Sequence, residues 1–205
     1  MNKYKLTDKT KEFNGLTLHQ IVAVTDFGDV RVGDLGGWIE KESNLSQEGG
    51  CWIYGNAWIY GNAWIYGNAW ISGNAWISGN AQIYDDAQIS GNAWISGNAQ
   101  IYGDAQISGD AQISGDAMIS GDAMISGDAR IKSFHDICIM SCFGSGGRTT
   151  TAFNCKDKTI KVNCGCFNGT INEFEERIEQ THGNTQYGRE YKAMVVLIKI
   201  HLSEC

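Results

Sequence analysis

No run of about 18 apolar residues, the length that marks a membrane-spanning helix, occurs in this sequence. The best candidate, AMVVLIKIHL, is too short, so a soluble protein with no membrane partner is expected. Positive charge is scarce as well. Sixteen Lys and Arg stand against 23 Asp and Glu, a net charge of −7. That argues against direct nucleic-acid binding, because neutralising phosphates takes clustered basic residues. Basic protein surfaces or small ligands fit better. The opening MNKYKLTDKTKEF is polar and charged rather than a secretory leader, and the seven Cys are odd in number. Mostly free thiols in a reducing, cytoplasmic compartment are therefore expected. Proline is absent altogether, while Gly occurs 26 times in 205 residues. This length permits one domain, or one long repeat with a modest appendage.

What fills the middle of the chain is a repeat. Ile occurs at every sixth position from Ile53 to Ile131, fourteen times without a break. Four residues after each of the first thirteen stands an Ala, from Ala57 to Ala129. Helical spacing cannot produce a period of six, and the period is the primary fact. In a unit such as Trp58-Ile59-Tyr60, strand alternation turns Ile inward and its neighbours outward. Gly61-Asn62 then makes a corner, since Gly tolerates the positive φ a tight corner needs and Asn or Asp is next most tolerant. Ala63 fills that corner from inside.

An aliphatic residue followed four places later by a small one resembles the signature of hexapeptide-repeat, left-handed parallel β-helix proteins. The resemblance implies the handedness and a three-sided coil of eighteen residues. Fourteen hexads then give between about four and five coils, roughly 20 Å of solenoid at about 4.8 Å per rung, and only stacking lets such coils bury a core. Ile39 and Leu45 are also six apart, so DFGDVRVGDLGGWIEKESNLS reads as a first coil, with two extra residues absorbed in a corner bulge around QEGG. The open end of a β-helix is an unpaired edge that needs cover. The expected organisation is mainly β: an N-terminal cap over residues 1–36, a solenoid over 37–134, and a small α+β domain over 135–205.

Every eighteenth residue defines an outward column. One face carries Trp58, Trp76, Trp94, Gln112 and Arg130, a second Trp52, Trp70, Gln88, Gln106 and Met124, and a third Trp64, Gln82, Gln100 and Met118 beside Tyr66, Tyr84 and Tyr102. Trp and Tyr are good strand residues that stack on like neighbours one rung apart. Contiguous aromatic area also marks contact sites. The six Trp from 52 to 94 and the three Tyr are thus a candidate binding face for a protein partner or a second copy, for a flat ligand such as a carbohydrate, or for another part of this chain.

Corner residues change from Asn to Asp along the axis, leaving Asp104, Asp110, Asp116, Asp122 and Asp128 as an acidic ladder. Carboxylates in solvent at a corner are ordinarily screened surface charge, so no metal is assigned; mimicry of a nucleic acid is a sharper reading of the same row. Hexapeptide β-helices are often acyltransferases that use a coil His as general base. None of the hexads contains a His, since His19, His135, His182 and His201 lie outside them. The usual proton acceptor for that chemistry is missing.

After Ser133 the composition changes. HDICIMSCF, TTTAFNC and KTIKVNCGCF read as strands, and GTINEFEERIEQTHG as a helix with Thr170 as N-cap, Glu173 completing a capping box and Gly183 as terminator. GREYKAMVVLIKIHL is expected to be a last helix, although its β-branched run also permits a strand. The loop FGSGGRTTT sets Ser145, Arg148, Thr149 and Thr150 among glycines, a composition suited to an anion or simply to a hairpin. Cys164 and Cys166 are read as two thiols on the same side of a strand. Their spacing is not the usual one for zinc, and buried apolar thiols are the plainer reading, so no cofactor is assigned. A thiol enzyme pairing a Cys with His135 or His182 is the alternative.

The first coil, the hexads and the tail CGCFNGTINEFEERIEQTHG together resemble the hexapeptide-repeat β-solenoids of bacteriophage and prophage genomes. That family implies a fold and a host-cell cytoplasmic setting, with no activity assigned to particular residues. The leading functional expectation is a non-enzymatic binding or assembly protein working through contacts on its faces. Competing with it are an inhibitor of host defence, anti-CRISPR or nucleotide-sequestering, and a thiol- or metal-dependent enzyme.

Overall fold

The computed structural model of the chain describes residues 2–203. The hexads form a parallel β-solenoid in which each Xaa-Ile pair is a two-residue rung, stacked on the pair 18 residues away: Trp58 on Trp76, Gln88 on Gln106, Gln100 on Met118. Alternate backbone amides run along the axis. Trp58 N donates to Ala75 O at 2.8 Å, Tyr60 N to Ile77 O at 3.0 Å and Asn62 N to Gly79 O at 2.8 Å. Every Ile and Ala of the hexads is buried, in one core that continues from Tyr4 to Cys155. The corners explain the Gly. At Gly97, φ is +69°, and a Cβ would stand 2.6 Å from the amide nitrogen of Gly115 in the next coil. Asp85, the exception, adopts φ +55° and its carboxylate accepts from Gly103 N at 3.2 Å.

The first coil is longer by two residues, as its spacing implies. Ile39 pairs with Ile59 and Leu45 with Ile65, both 20 apart, whereas Ile53 pairs with Ile71, 18 apart. The additional residues bulge at Gln47–Gly50. Lys3 Nζ donates to three carbonyls there, those of Glu48, Gly49 and Cys51, and approaches Cys51 Sγ at 3.1 Å. The N-terminal strands do more than sit over the open end. Strands β1 (Tyr4–Phe13) and β2 (Leu16–Ala23) form an antiparallel hairpin, and β2 pairs with β3 (Leu35–Ile39), the first rung of one face. Hairpin and coil thus share one eight-stranded sheet.

Beyond the last rung, Arg130-Ile131, four antiparallel strands follow in chain order: β4 (Ile137–Phe143), β5 (Arg148–Asn154), β6 (Ile160–Cys164) and β7 (Phe167–Thr170). Helices α1 (Ile171–Thr181) and α2 (Gln186–Ser203) complete the chain, so the β-branched run is helical. Strand alternation divides β5 and β6 between two cores. Thr151 accepts from Met124 N at 3.0 Å, Phe153 is wholly buried in the solenoid core, and Asn163 donates to Met124 O at 2.8 Å. Ala152 and Val162, on the opposite side, join Phe174, Ile178, Val195 and Ile198 in a second core. The sheet therefore closes the solenoid with one side and receives the helices on the other. Thr170 caps α1 as expected, its hydroxyl accepting from Glu173 N while Glu173 Oε2 accepts from Thr170 N, and Gly183 (φ +50°) ends it.

Candidate functional site

The hairpin divides the outward aromatics into covered and open sets. Trp52 is 1% exposed, enclosed by Tyr4, Phe27 and Tyr54, and its indole N–H has no hydrogen-bond acceptor among the described residues. It cannot belong to a contact face, contrary to the expectation from its column. Phe13, at the hairpin tip, packs edge-on against both Trp58 and Trp76, with centroids 5.3 and 5.1 Å away. Lys11 lies over Trp38 and Trp58 at 4.2 and 5.2 Å, a cation–π arrangement that covers ring surface with an alkyl stem. Trp58 and Trp76 are in consequence half-buried, and a flat ligand finds no free platform of three Trp on this column. Three remain open: Trp64 at 44%, Trp70 at 42% and Trp94 at 46%. They stand on three different faces.

One of them begins a continuous strip. Trp64 stacks on Tyr66 with centroids 4.2 Å apart, Tyr66 on Tyr84 at 4.8 Å, and Tyr84 on Tyr102 at 5.0 Å. The three Tyr are half-buried. Burial, then the next Tyr hydroxyl along the row and then Asp85 push the Tyr66 and Tyr84 hydroxyls above their ordinary pKa, so both are neutral donors at neutral pH. Among the described residues no ring or cation of the hairpin stacks on this strip.

The corner ladders are mixed rather than acidic throughout. Asn62 donates to Asn80, Asn80 to Asn98 and Asn98 to Asp116; in the next column Asn74 donates to Asn92 and Asn92 to Asp110. Each amide gives a proton toward the C-terminal end, and an Asp, which only accepts, ends the donor series. Asp116 and Asp110 are thus hydrogen-bonded ends of amide ladders. Asp128 pairs with Lys161 at 3.3 Å. Asp104 and Asp122 continue a third column at exposed corners.

The residues named in the FGSGGRTTT loop separate. Thr149 bonds Ser141, and Thr150 is buried with its hydroxyl donating to Cys164 Sγ at 3.1 Å; both belong to β5, which leaves only residues 144–147 as the hairpin turn. Ser145 and Arg148 do face a cavity of about 640 Å³, shared with Cys164, Cys166, Phe167 and Phe174 and with Arg177, His182 and Tyr191 from the helices. Cys164 and Cys166 flank a tight turn between β6 and β7 instead of sharing one strand, because Gly165 adopts φ +58° and reverses the chain. Burial pushes the Cys51 and Cys138 thiols up and Cys155 up to about 11, which keeps these three protonated and unreactive. Among the described residues no three His, Cys, Asp or Glu side chains are placed to hold a metal ion, and no helix is long and apolar enough to cross a membrane.

Comparison with known proteins bears on the repeats. The family described as the YdcK Beta solenoid repeat matches residues 81–97, 87–103 and 111–127, all within the hexads. The chain is a β-solenoid repeat protein whose hexads are similar to the YdcK repeat. A protein of Escherichia coli (strain K12) named "Uncharacterized acetyltransferase YdcK" is 44% identical over 62 residues, a stretch covering 26% of this chain and 19% of that protein. Sequence reasoning overlooked Phe13, Lys11 and Tyr4 as covers of the Trp columns, and Arg177 and Tyr191 as walls of the cavity. For Phe13 a signal existed, an apolar residue at a turn beside Asn14-Gly15; for the others contact depends on chain segments far apart in sequence.

Proposed function

We propose that this protein is a non-enzymatic β-solenoid that acts in binding and assembly, and that its contact surface is the strip Trp64, Tyr66, Tyr84 and Tyr102. The observation that carries this reading is the contrast on the solenoid itself: the hairpin's Phe13 packs on Trp58 and Trp76 and its Lys11 on Trp38 and Trp58, whereas the row that starts at exposed Trp64 and runs through half-buried Tyr66, Tyr84 and Tyr102 is stacked only on itself. Rigid aromatic side chains already ordered by stacking lose little further entropy on contact, which suits them to interfaces. The partner we infer is a second copy, two strips meeting around a twofold axis. Sedimentation equilibrium tests it: the wild type is expected to dimerise and Trp64→Ala/Tyr84→Ala to remain monomeric at the same concentration. A wild type that is monomeric throughout rejects self-association. The likeness of the flanking segments to phage and prophage solenoids supports a host-cytoplasmic setting.

Acyl transfer is a second reading, favoured by the name of the related E. coli protein. It requires a proton acceptor outside the hexads, since none of them holds a His. Release of free coenzyme A from acetyl-coenzyme A in the presence of candidate amine acceptors, lost in His135→Asn or His201→Asn, would support transfer over binding.

A further inference from the structure

The cavity between the β6–β7 turn and helices α1 and α2 has its own chemistry, separate from the solenoid faces. Its volume, about 640 Å³, lies in the range of small-molecule sites. Its walls supply linked rings: Phe167 meets Phe174 at 5.0 Å, Phe174 meets Tyr191 at 5.9 Å, and His182 stacks on Tyr191 at 5.4 Å. Phe167 and His182 are only half-buried and leave ring surface for a ligand.

Its charges are distributed unlike those elsewhere in the molecule. The chain has five Arg. Three donate to backbone carbonyls: Arg31 to Gly28 and Val30, Arg130 to Asp110, Asp128 and Ala129, and Arg189 to Asn184. The other two, Arg148 and Arg177, line this cavity, and neither guanidinium makes a hydrogen bond or ion pair among the described residues. Arg148 is also seated. A Cβ on Gly165 would come within 2.4 Å of its Nη1, and one on Gly146 within 3.1 Å of its Nε, so two glycines leave the space its side chain occupies. Of the two carboxylates at the cavity, Glu173 already accepts from Thr170 N and Oγ1 in the capping box, which leaves Glu176 as the one acid beside two unused guanidiniums.

We infer that this cavity binds a small anion of mononucleotide size, with a phosphate held by Arg148 and Arg177 and a planar ring against Phe167 and His182. Guanidinium donors match phosphate oxygens in pairs, and such charge-assisted bonds are the strong ones.

Isothermal titration calorimetry on the full chain tests this with AMP, inorganic phosphate and adenosine as probes. One AMP per chain is expected, bound about tenfold or more tightly than either fragment. Arg148→Ala and Arg177→Ala should each weaken AMP by about tenfold, with unchanged circular dichroism and melting temperature, because both side chains are exposed. Absence of any heat with AMP at millimolar concentration overturns the proposal, as does AMP binding that both Arg variants leave intact. Inorganic phosphate binding as tightly as AMP overturns the assignment of a ring site.

Discussion

Between Trp70 and Ile113 each hexad is paired with the hexads 18 residues before and after it, and its outward residue meets the outward residue of the same column on the next rung. In the C-terminal unit one strand, β5, serves two cores, and the cavity joins Arg148 to Arg177 across 29 positions of sequence. The solenoid shows what a period can specify: inside or outside, corner or face, and the neighbour on the next rung. The C-terminal unit shows where that ends. There a residue's surroundings depend on which strand and helix fold against it, and no period states this.

The sharpest way to break the comparison is at the strand both regions share. Phe153→Ala should cost about 3–5 kcal/mol and loosen the solenoid end together with the helices, read as one cooperative transition in urea. Two separate transitions would show that the sheet is not a common wall.

Within the solenoid, two corner glycines of nearly equal φ differ only in what lies above them. Gly97→Ala drives a Cβ against the backbone of Gly115, whereas a Cβ on Gly121 meets nothing within 4 Å. Gly121→Ala should therefore cost only the left-handed backbone penalty, about 1–2 kcal/mol. Gly97→Ala should cost more, by at least about 1 kcal/mol for overpacking, in thermal unfolding of the two variants side by side. Equal losses would mean that φ alone fixes the corner residue.

These contrasts also mark how much was legible beforehand. The Ile and Ala columns, the Gly corners, the two-residue bulge before Ile53 and the Thr170 capping box could all be read from spacing, since each is set by neighbours at a fixed separation. The outward position of the Trp was legible too. Their burial was not, because Phe13 and Lys11 reach Trp38, Trp58 and Trp76 through a hairpin whose curl the sequence does not state. Of the candidate anion residues, Ser145 and Arg148 do face the cavity. Thr149 and Thr150 continue into β5, and Arg177 comes from a helix that binary pattern alone does not place beside that loop.

A smaller effect is expected at the hairpin tip. Phe13→Ala removes edge-on contacts to two indoles worth about 0.5–1.5 kcal/mol each, and should red-shift Trp emission as Trp58 and Trp76 become wetter. An unchanged spectrum would argue that the tip is not seated there in solution.

The smallest effect joins the two regions by charge. Burial pushes the Asp128 carboxyl up, but Lys161, donating at 3.3 Å, and further donors outweigh it and hold the group below its ordinary value of 3.8. A carboxyl whose folded-state pKa is lowered stabilises above its unfolded value and loses that contribution as pH falls through the folded value. Stability should thus decline below about pH 4 by less than about 1 kcal/mol from this partly exposed pair, and Asp128→Asn should flatten that part of the pH profile.

The account rests on the division between covered and open aromatics, and hydroxyl-radical footprinting read residue by residue at rising protein concentration tests it most directly. Trp38 and Trp52 should be unreactive at every concentration and Trp94 reactive at every concentration, while Trp64, Tyr66, Tyr84 and Tyr102 lose reactivity together as the protein associates. Reactivity of those four that stays constant with concentration, or a reactive Trp52, would contradict it.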